Sequence, residues 1–292
     1  MYVKNFSEKS VYIRFLLIFV FSGASLYADI QEKVNFGVLS LAPPTKIYTS
    51  WKPFAKYLAK ETGLKVNIVA PRGFKKLKKM ASEKKVDIFY VNSLIFYRLK
   101  QSNRAIAIAQ MQNIANQITS QSDIFVRADS NITNISELKD KTIAFVSPMG
   151  AGGYLAPKAY LYQQGLNADK ETKEVFTKNL TNSIYNVLLG KVDAATMCGV
   201  NYQLMSKKLE TGELKVIASS TKYPENVLAA RVGLSSVLIA KLKKAIINMP
   251  STIEGRRILK GMKVMKIKQF IPYDESLEKL TRNLLKSAKF ND

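Results

Sequence analysis

The chain has 292 residues, of which 47% are hydrophobic and 23% are charged, and this composition excludes a disordered protein. Histidine is absent and Cys198 is the single cysteine, which excludes Ser-His and Cys-His catalysis, histidine zinc sites and an internal disulfide. The formal net charge of +23 admits nucleic acid, an anionic membrane or anionic ligands as partners, but no basic segment matches a nucleic-acid-binding module.

The first 28 residues have the pattern of a secretory signal peptide. Lys4, Lys9 and Arg14 precede an apolar run at 15–21, and small residues follow up to Ala28. The run is too short for a permanent membrane span, so we expect export and cleavage after Ala28. A retained N-terminal anchor is the alternative. Removing these residues, which carry a net charge of +2, would leave +21.

Beyond that segment, short apolar runs rich in Val, Ile and Phe alternate with longer helical patterns. This alternation predicts an α/β fold with largely parallel sheets. The predicted strands cover residues 34–40, 65–70, 87–91, 105–112, 123–128, 142–147, 173–177, 193–198 and 214–220. These strands are too many for one open sheet, and the composition does not shift between them. We therefore expect two similar lobes joined by crossing segments.

The first helix between these strands is marked by its capping residues and its apolar face. Ser50 is predicted to cap a helix in which Trp51, Phe54 and Leu58 share one buried face. Gly63 is predicted to end this helix.

Later helices carry similar signals. Ser136 is predicted to open a short helix, and Thr181 or Asn182 a longer one that Gly190 closes. The basic run 72–85 has apolar residues at helical spacing with lysines opposite, which indicates an ordinary solvated helix face.

A glycine-rich stretch, "SPMGAGGYLAP" at 147–157, lies where a predicted strand gives way to a helix. One interpretation is that the N–H groups of residues 150–153 form an open nest for an anionic or carbonyl oxygen. The other is that the glycines only permit a tight turn and close packing. We predict a combination, with Gly153 structural and Gly150 to Gly152 facing a ligand. Ser147 suits a turn better than a ligand contact.

Segments along the whole chain after residue 28 resemble the periplasmic binding proteins of phosphate, phosphite and phosphonate ABC transporters. The matching segments, in order, are "VNFGVLS", "WKPFAKYLAKETGLKV", "KKVDIFYVNSL", "DIFVRADSNITNISELKDKTIAF", "SPMGAGGYLAP", "GKVDAAT", "LKVIASS" followed by "YPEN", and "STIEGRRIL". The resemblance implies a two-lobe type II periplasmic binding protein. Each lobe would be a mostly parallel sheet flanked by helices, and two strands would form the hinge.

The resemblance also implies a division of the chain. We place lobe 1 at residues 29–120 and 223–292, and lobe 2 at residues 121–222. A ligand would be closed between the lobes.

The family's ligand-contacting side chains are largely replaced in this sequence. The loop that reads Asp-Pro-x-Ser-Thr-Ser-Gly in the family has lost all three hydroxyls at 150–152. Two family tyrosines fall at Phe74 and near Ser120, and the family histidine falls at Leu180. The family's two carboxylates fall at Val200 and Asn226. A one-residue shift keeps Asn201, Gln121 and Glu225 open as alternatives.

In the resemblance, the loop after the third strand supplies two more candidates. Ser93 is predicted first as a helix cap and second as a ligand contact, beside Asn92. The complete set of candidate ligand-binding residues is Phe74, Asn92, Ser93, Ser120, Ser147, Gly150, Ala151, Gly152, Gly153, Leu180, Val200, Asn201 and Asn226.

The functional expectation is a non-enzymatic periplasmic solute-binding protein. It would bind a small oxyanion or polar metabolite, use no cofactor or metal, act as a monomer without nucleic acid, and deliver its ligand to an inner-membrane ABC permease. The alternative is a ligand sensor that reports to a membrane kinase or chemoreceptor. An enzyme built on the same fold, and an exported protein that binds a surface through its charge, are the remaining hypotheses.

Overall fold

The computed structural model describes residues 32–39, 42–208 and 212–290. The predicted signal peptide and its cleavage site at Ala28 lie outside these residues. Within this part of the chain, no helix has the length and apolar character needed to cross a membrane.

The described residues form strands and helices that alternate along most of the chain. The strands are β1 (Lys33–Val38), β2 (Lys65–Val69), β3 (Ile88–Val91), β4 (Ala105–Asn113), β5 (Thr119–Ser120), β6 (Ser122–Arg127), β7 (Thr142–Phe145), β8 (Lys173–Phe176), β9 (Ala194–Cys198), β10 (Leu214–Ser219), β11 (Tyr223–Pro224), β12 (Val227–Arg231) and β13 (Ile267–Ile271). The helices are α1 (Pro44–Thr62), α2 (Phe74–Ser82), α3 (Ser93–Gln101), α4 (Ala156–Gln163), α5 (Ala168–Glu171), α6 (Leu180–Leu188), α7 (Gly199–Lys208), α8 (Ser236–Ile247), α9 (Ile253–Met262) and α10 (Ser276–Ser287). Short 3₁₀ turns cover Ile135–Leu138, Met249–Ser251 and Lys263–Met265, and a π-helical turn covers Ala151–Leu155.

These strands form two main sheets and one small ribbon. The first sheet has the order β13-β4-β12-β3-β1-β2, and the second has the order β10-β6-β9-β7-β8. All predicted strands form, whereas β12 and β13 were not predicted. Both are short runs of five residues without strong apolar alternation.

The two sheets are mixed, which corrects the expectation of mostly parallel sheets. In the first sheet β1 pairs in parallel with β2 and β3, while β12 runs antiparallel to both β3 and β4. In the second sheet β7 pairs in parallel with β8 and β9, while β6 runs antiparallel to β9 and β10. The chain leaves the first sheet along β4 and returns along β12. Since the chain leaves at the end of β4 and re-enters at the start of the neighbouring β12, the two strands run in opposite directions.

The two crossings between the sheets lie side by side. β5 follows β4 and leads to β6, and β11 follows β10 and leads to β12. The crossings pair antiparallel, with Tyr223 opposite Ser120 and Pro224 opposite Thr119. This ribbon is the two-strand hinge expected from the resemblance. The lobe boundaries at 120/121 and 222/223, which fall at its ends, stay a prediction.

The start of α1 differs from the expectation. The helix begins at Pro44, so Ser50 lies within it and does not cap it. Proline is favoured in the first helical turn because the N–H that it lacks has no intrahelical acceptor there. The buried face and the end of the helix agree with the prediction, since Trp51 and Phe54 are buried and Gly63 is left-handed with φ 69°.

Two other helix caps also differ from the prediction. Asn134 caps the turn that Ser136 was expected to open, and its side chain accepts a hydrogen bond from the Ser136 N–H. Asn179 caps α6 in place of Thr181 or Asn182, and accepts from the Asn182 N–H at 2.8 Å. In both cases an extended asparagine just upstream reaches the first free amide, which a residue inside the helix cannot do.

The C-terminal helix α10 contacts both halves of the fold. It packs against α3 beside the first sheet and against α4 beside the second. Leu284 and Leu285 share an apolar cluster with Leu94 of α3 and with Leu155 and Ala159 near α4. The last described helix is therefore a bridge between the lobes as well as part of the predicted lobe 1.

Candidate ligand-binding site

Three strand-to-helix turns meet beside the hinge. They follow the carboxyl ends of β3, β7 and β9, the edge at which open α/β sheets bind their ligands. Leu94, Ala151, Cys198 and Tyr223 come from the three turns and the hinge, and they belong to one apolar cluster. The structure therefore brings the predicted loops together.

The turn after β3 is closed by its own side chains. Asn92 caps α3, since its Oδ1 accepts a hydrogen bond from the Ile95 N–H at 3.0 Å. Its Nδ2 donates to the Met149 carbonyl at 3.0 Å. Ser93 is not the cap, which corrects the prediction. Its buried hydroxyl donates to the carbonyl of Pro224 in the hinge at 2.9 Å.

The glycine-rich turn after β7 has no side-chain cap. Gly150 precedes the π-helical turn that runs into α4, and its N–H donates to the Ser147 carbonyl at 3.0 Å. The Ser147 hydroxyl accepts from the Met149 N–H at 3.3 Å, which is the turn role expected for it. The amides of the next residues lie at the start of a helix, where no intrahelical acceptor exists and the helix dipole is positive. This geometry suits an anionic or carbonyl oxygen.

Space, rather than backbone conformation, requires glycine at 152 and leaves little room for a side chain at 153. A Cβ at position 152 would overlap the Tyr223 hydroxyl, and a Cβ at position 153 would lie 3.2 Å from the Val146 Cβ. The φ angle of neither glycine lies in the left-handed region. The close packing expected at Gly153 is present. At Gly152 the group that approaches the backbone is the hinge tyrosine, which the sequence did not indicate.

A polar cluster lies at the base of the hinge. The Glu225 carboxylate accepts hydrogen bonds from the Ser120 hydroxyl and, at 2.9 Å, from Asn113 Nδ2. Gln110 Nε2 donates to the carbonyls of Glu225 at 3.1 Å and Asn226 at 3.2 Å. No ion pair to Glu225 is formed within 32–39, 42–208 and 212–290. Glu225 is thus a carboxylate held by neutral donors.

Two tyrosines beside this carboxylate keep their protons at neutral pH. Burial raises the pKa of Tyr90, and the charge of Glu225 raises it further. Burial also raises the pKa of Tyr223, and the neighbouring Cys198 and Glu225 act in the same direction. Both hydroxyls are therefore hydrogen-bond donors in the folded protein.

The turn after β9 surrounds a thiol. Burial raises the pKa of Cys198, and this effect outweighs the hydrogen bond with Tyr223 and those from the Asn201 and Val200 N–H groups, which lower it. The first amides of α7 are thus directed at a side chain of the protein itself. Cys198 is itself partly buried and packs against the apolar cluster beside the hinge.

The remaining predicted residues are divided between the site and the cores. Phe74 begins α2 and packs beside Met149 on the core of the first sheet. Leu180 packs on the core of the second sheet. Gln121, one of the alternatives from a shifted alignment, donates to the Ser220 carbonyl at 2.9 Å.

Sequence reasoning missed Tyr90, Tyr223, Gln110 and Asn113. The last two were detectable in principle, because polar residues interrupt the apolar alternation at the carboxyl end of "AIAIAQMQN". The two tyrosines carried no such signal, because an aromatic residue in or near a strand is also typical of a core. No cluster of metal-ligating side chains occurs in the described part of the chain.

Two mixed α/β sheets joined by a two-stranded ribbon, with strand-to-helix turns facing each other beside it, define a type II periplasmic binding protein. A family model supports this class. Residues 36–277 match the periplasmic substrate-binding proteins of phosphonate ABC transporters. The chain therefore belongs to this family, whose members bind solutes and are not enzymes.

Three known proteins illustrate the similarity. The phosphonates-binding periplasmic protein of Escherichia coli is 26% identical over 244 residues, which cover 81% of this chain and 72% of that protein. The tetrathionate sensor histidine kinase TtrS of Salmonella typhimurium is 22% identical over 236 residues, which cover 74% of this chain and 40% of that protein. The structure of PhnD1 from Prochlorococcus marinus in complex with methylphosphonate has a TM-score of 0.74 and 19% identity, with 88% and 98% of the two chains covered. The structural likeness shows the shared fold.

Proposed function

We propose that this protein captures a small anionic or polar solute in the periplasm and presents it to an inner-membrane ABC permease. The observation that carries the proposal is the uncapped helix start after β7, beside the hinge residue Tyr223, in a member of this family. Closure of the lobes about the β5–β11 ribbon would enclose the ligand, as in other hinge-closing binding proteins. We assign lobe 1 to residues 29–120 and 223–292, lobe 2 to residues 121–222, and a monomeric state.

The ligand would place an anionic oxygen at the amides that follow Gly150. Since hydroxyls are absent at 150–152, backbone donors and the helix dipole must supply this contact. Glu225 has no basic partner in the described residues, so it disfavours a second full negative charge nearby. The site therefore favours a monoanionic or protonated phosphonate-like ligand over a dianion such as sulfate.

Thermal unfolding against a ligand panel tests this function. The panel contains phosphate, phosphite, methylphosphonate, aminoethylphosphonate, sulfate and uncharged polar metabolites. A compound at one hundred times its dissociation constant should stabilise the protein by about 2.7 kcal/mol. Stabilisation by a phosphonate or phosphite supports the proposal. Equal stabilisation by sulfate, or stabilisation by an uncharged compound alone, contradicts the proposed ligand class.

A matched pair of variants locates the site. Gly150→Asp adds a good N-cap residue and a negative charge at the helix start, so it should repel an anion. Its Cβ would lie 3.2 Å from the Ser147 carbonyl oxygen, so circular dichroism is used to check that the variant is folded. Asn134→Asp makes the same kind of change at the exposed turn of residues 135–138. The ligand-induced shift should be lost only in Gly150→Asp. An unchanged shift in that variant would move the site elsewhere.

A sensing role is the second candidate, and the similarity to the sensor histidine kinase favours it. Both roles use the same closure, but the closed form would contact different membrane proteins. Chemical cross-linking in membranes, followed by mass spectrometry, separates them. An ABC permease as the cross-linked partner supports transport, and a histidine kinase supports sensing.

A further inference from the structure

Met149 belongs to the loop of the second sheet but is held by residues of the first. Asn92 Nδ2 donates to its carbonyl at 3.0 Å, and an Arg98 guanidinium nitrogen lies 3.1 Å from its sulfur. Both partners are on or next to α3, whereas Met149 directly precedes Gly150. Two polar contacts therefore converge on a single residue across the lobe boundary.

The Met149 side chain also packs on the other lobe. It lies against the apolar cluster of the first sheet that contains Leu77, Val91 and Phe96, where Phe74 packs as well. A thioether on an unbranched chain adapts well to such an irregular apolar surface. The contact is therefore hydrophobic as well as polar.

No carboxylate forms an ion pair with Arg98 within the described residues, so its guanidinium is available to contact the Met149 sulfur. Its guanidinium also lies 5.9 Å from the ring centre of Phe290, and that ring packs at 5.4 Å against Tyr154 of the second lobe. A delocalised, weakly hydrated cation interacts favourably with sulfur and aromatic faces. The Arg98 side chain thus contacts both Met149 in the glycine-rich loop and Phe290 in the C-terminal segment.

We propose that Met149 is a positioning residue that favours the closed arrangement of the two lobes and thereby raises ligand affinity. This inference rests on the proposed solute-binding function. Met149 is bonded directly to Gly150, so anchoring it to lobe 1 also fixes the helix start that receives the ligand. Loss of the anchor lowers the population of the closed form, and the apparent dissociation constant rises in proportion.

Two substitutions remove the anchor in different ways. Asn92→Asp keeps the oxygen that caps α3 but replaces the donor to Met149 with an acceptor, so the helix is preserved and the contact is lost. Met149→Ala removes the packing and the sulfur contact. Met149→Leu loses the sulfur contact with Arg98 but keeps the packing volume and the carbonyl contact with Asn92, so it should preserve most of the closure.

The first test measures lobe closure without any ligand. Spin labels are placed at Lys76→Cys in lobe 1 and Lys191→Cys in lobe 2, both exposed, in a Cys198→Ser background. Double electron–electron resonance then gives the distance between the labels. Asn92→Asp and Met149→Ala should increase the fraction of long distances, and Met149→Leu should resemble the unsubstituted protein. Unchanged distance distributions in the first two variants would overturn the inference.

The second test measures affinity for methylphosphonate, or for whichever panel compound gives the largest thermal shift. Met149→Ala should bind about three- to tenfold more weakly, the range expected for one lost hydrogen bond or small apolar contact. Asn92→Asp should weaken binding at least as much, because it also brings a negative charge near the proposed anion site. Dissociation constants unchanged in all variants contradict the inference. If no compound binds, the proposed function fails, while the distance measurement still decides the role of Met149 in closure.

Discussion

The helix starts after β3 and after β7 are built in opposite ways. Both follow a buried strand and both face the boundary between the lobes. The first is capped by the Asn92 side chain, whereas the second begins at Gly150 with no side-chain cap. In a capped helix, the side chain of the cap residue accepts a hydrogen bond from one of the first free amides. In an uncapped helix, these amides remain available to an oxygen of a ligand. The difference distinguishes the structural turn from the candidate binding turn.

The uncapped turn is stabilised by other contacts. On one side, the hinge residue Tyr223 packs over Gly152. Six residues further on, the buried Lys158 ammonium donates to Asp169, to Glu174 at 2.8 Å and to the Tyr154 hydroxyl at 3.0 Å. A helix start that must remain open to a ligand is therefore fixed from its flanks.

The largest expected effect is the loss of this ion network. Burial alone lowers the pKa of Lys158, but its hydrogen bonds to Asp169 and Glu174 outweigh burial and raise it. Lys158→Met leaves Glu174 near the buried site without its cation, and should lower the free energy of unfolding by about 3 kcal/mol. Urea denaturation measures this change.

The control for that substitution is Lys60→Met, which removes the exposed ion pair with Glu254. It should leave the denaturation midpoint unchanged within error, because exposed pairs contribute little. Similar losses in both variants would show that Lys158 has no special role in holding α4.

The next effect concerns the space over the turn. Gly152→Ala forces a Cβ against the Tyr223 ring, and should lower the free energy of unfolding by about 2 kcal/mol. Gly261→Ala is the matched control, since it lies in α9 with open space around it and should stabilise the protein by about 0.5–1 kcal/mol. Thermal melts of the two variants should shift in opposite directions. An unchanged melting temperature in Gly152→Ala would mean that the Tyr223 side chain moves aside at little energetic cost.

Removing the cap in lobe 1 tests the other side of the comparison. Asn92→Ala should lower the free energy of unfolding by about 1 kcal/mol, while Asn92→Asp should keep the cap and nearly all of the stability. Chemical denaturation of both variants gives the difference. Equal losses would show that the contact with Met149, rather than the cap, is what Asn92 contributes to stability.

The smallest effect is the pH dependence of the thiol beside the site. Since burial raises the pKa of Cys198, the folded state keeps this proton while the unfolded chain releases it near the ordinary thiol pKa. The Cys198 thiol therefore does not change the free energy of unfolding below the ordinary thiol pKa, and lowers it as the pH rises above that pKa. At pH 9 iodoacetamide should therefore react slowly with the native protein and quickly after unfolding in urea. Equal rates would show that the thiol is exposed.

Periodicity determined the parts of the fold that depend on local sequence. Apolar runs placed β1 to β4 and β6 to β10, and the spacing of Trp51, Phe54 and Leu58 gave the buried face of α1. The short strands β12 and β13 form because they pair with β4, a partner distant in the sequence. Asn92, rather than Ser93, caps α3, because a cap is decided by backbone geometry at single-residue precision.

For this protein the sequence alone determined the α/β class, the two-lobe family and the loops that form the candidate site, since these follow from local periodicity and from the order of motifs. Only the tertiary structure decided that Tyr223 requires glycine at 152, that Glu225 is held by neutral donors, and that Met149 is anchored to the opposite lobe. Each of these contacts joins residues far apart along the chain. Local patterns specify which face of an element is buried, whereas packing specifies which distant side chain meets it.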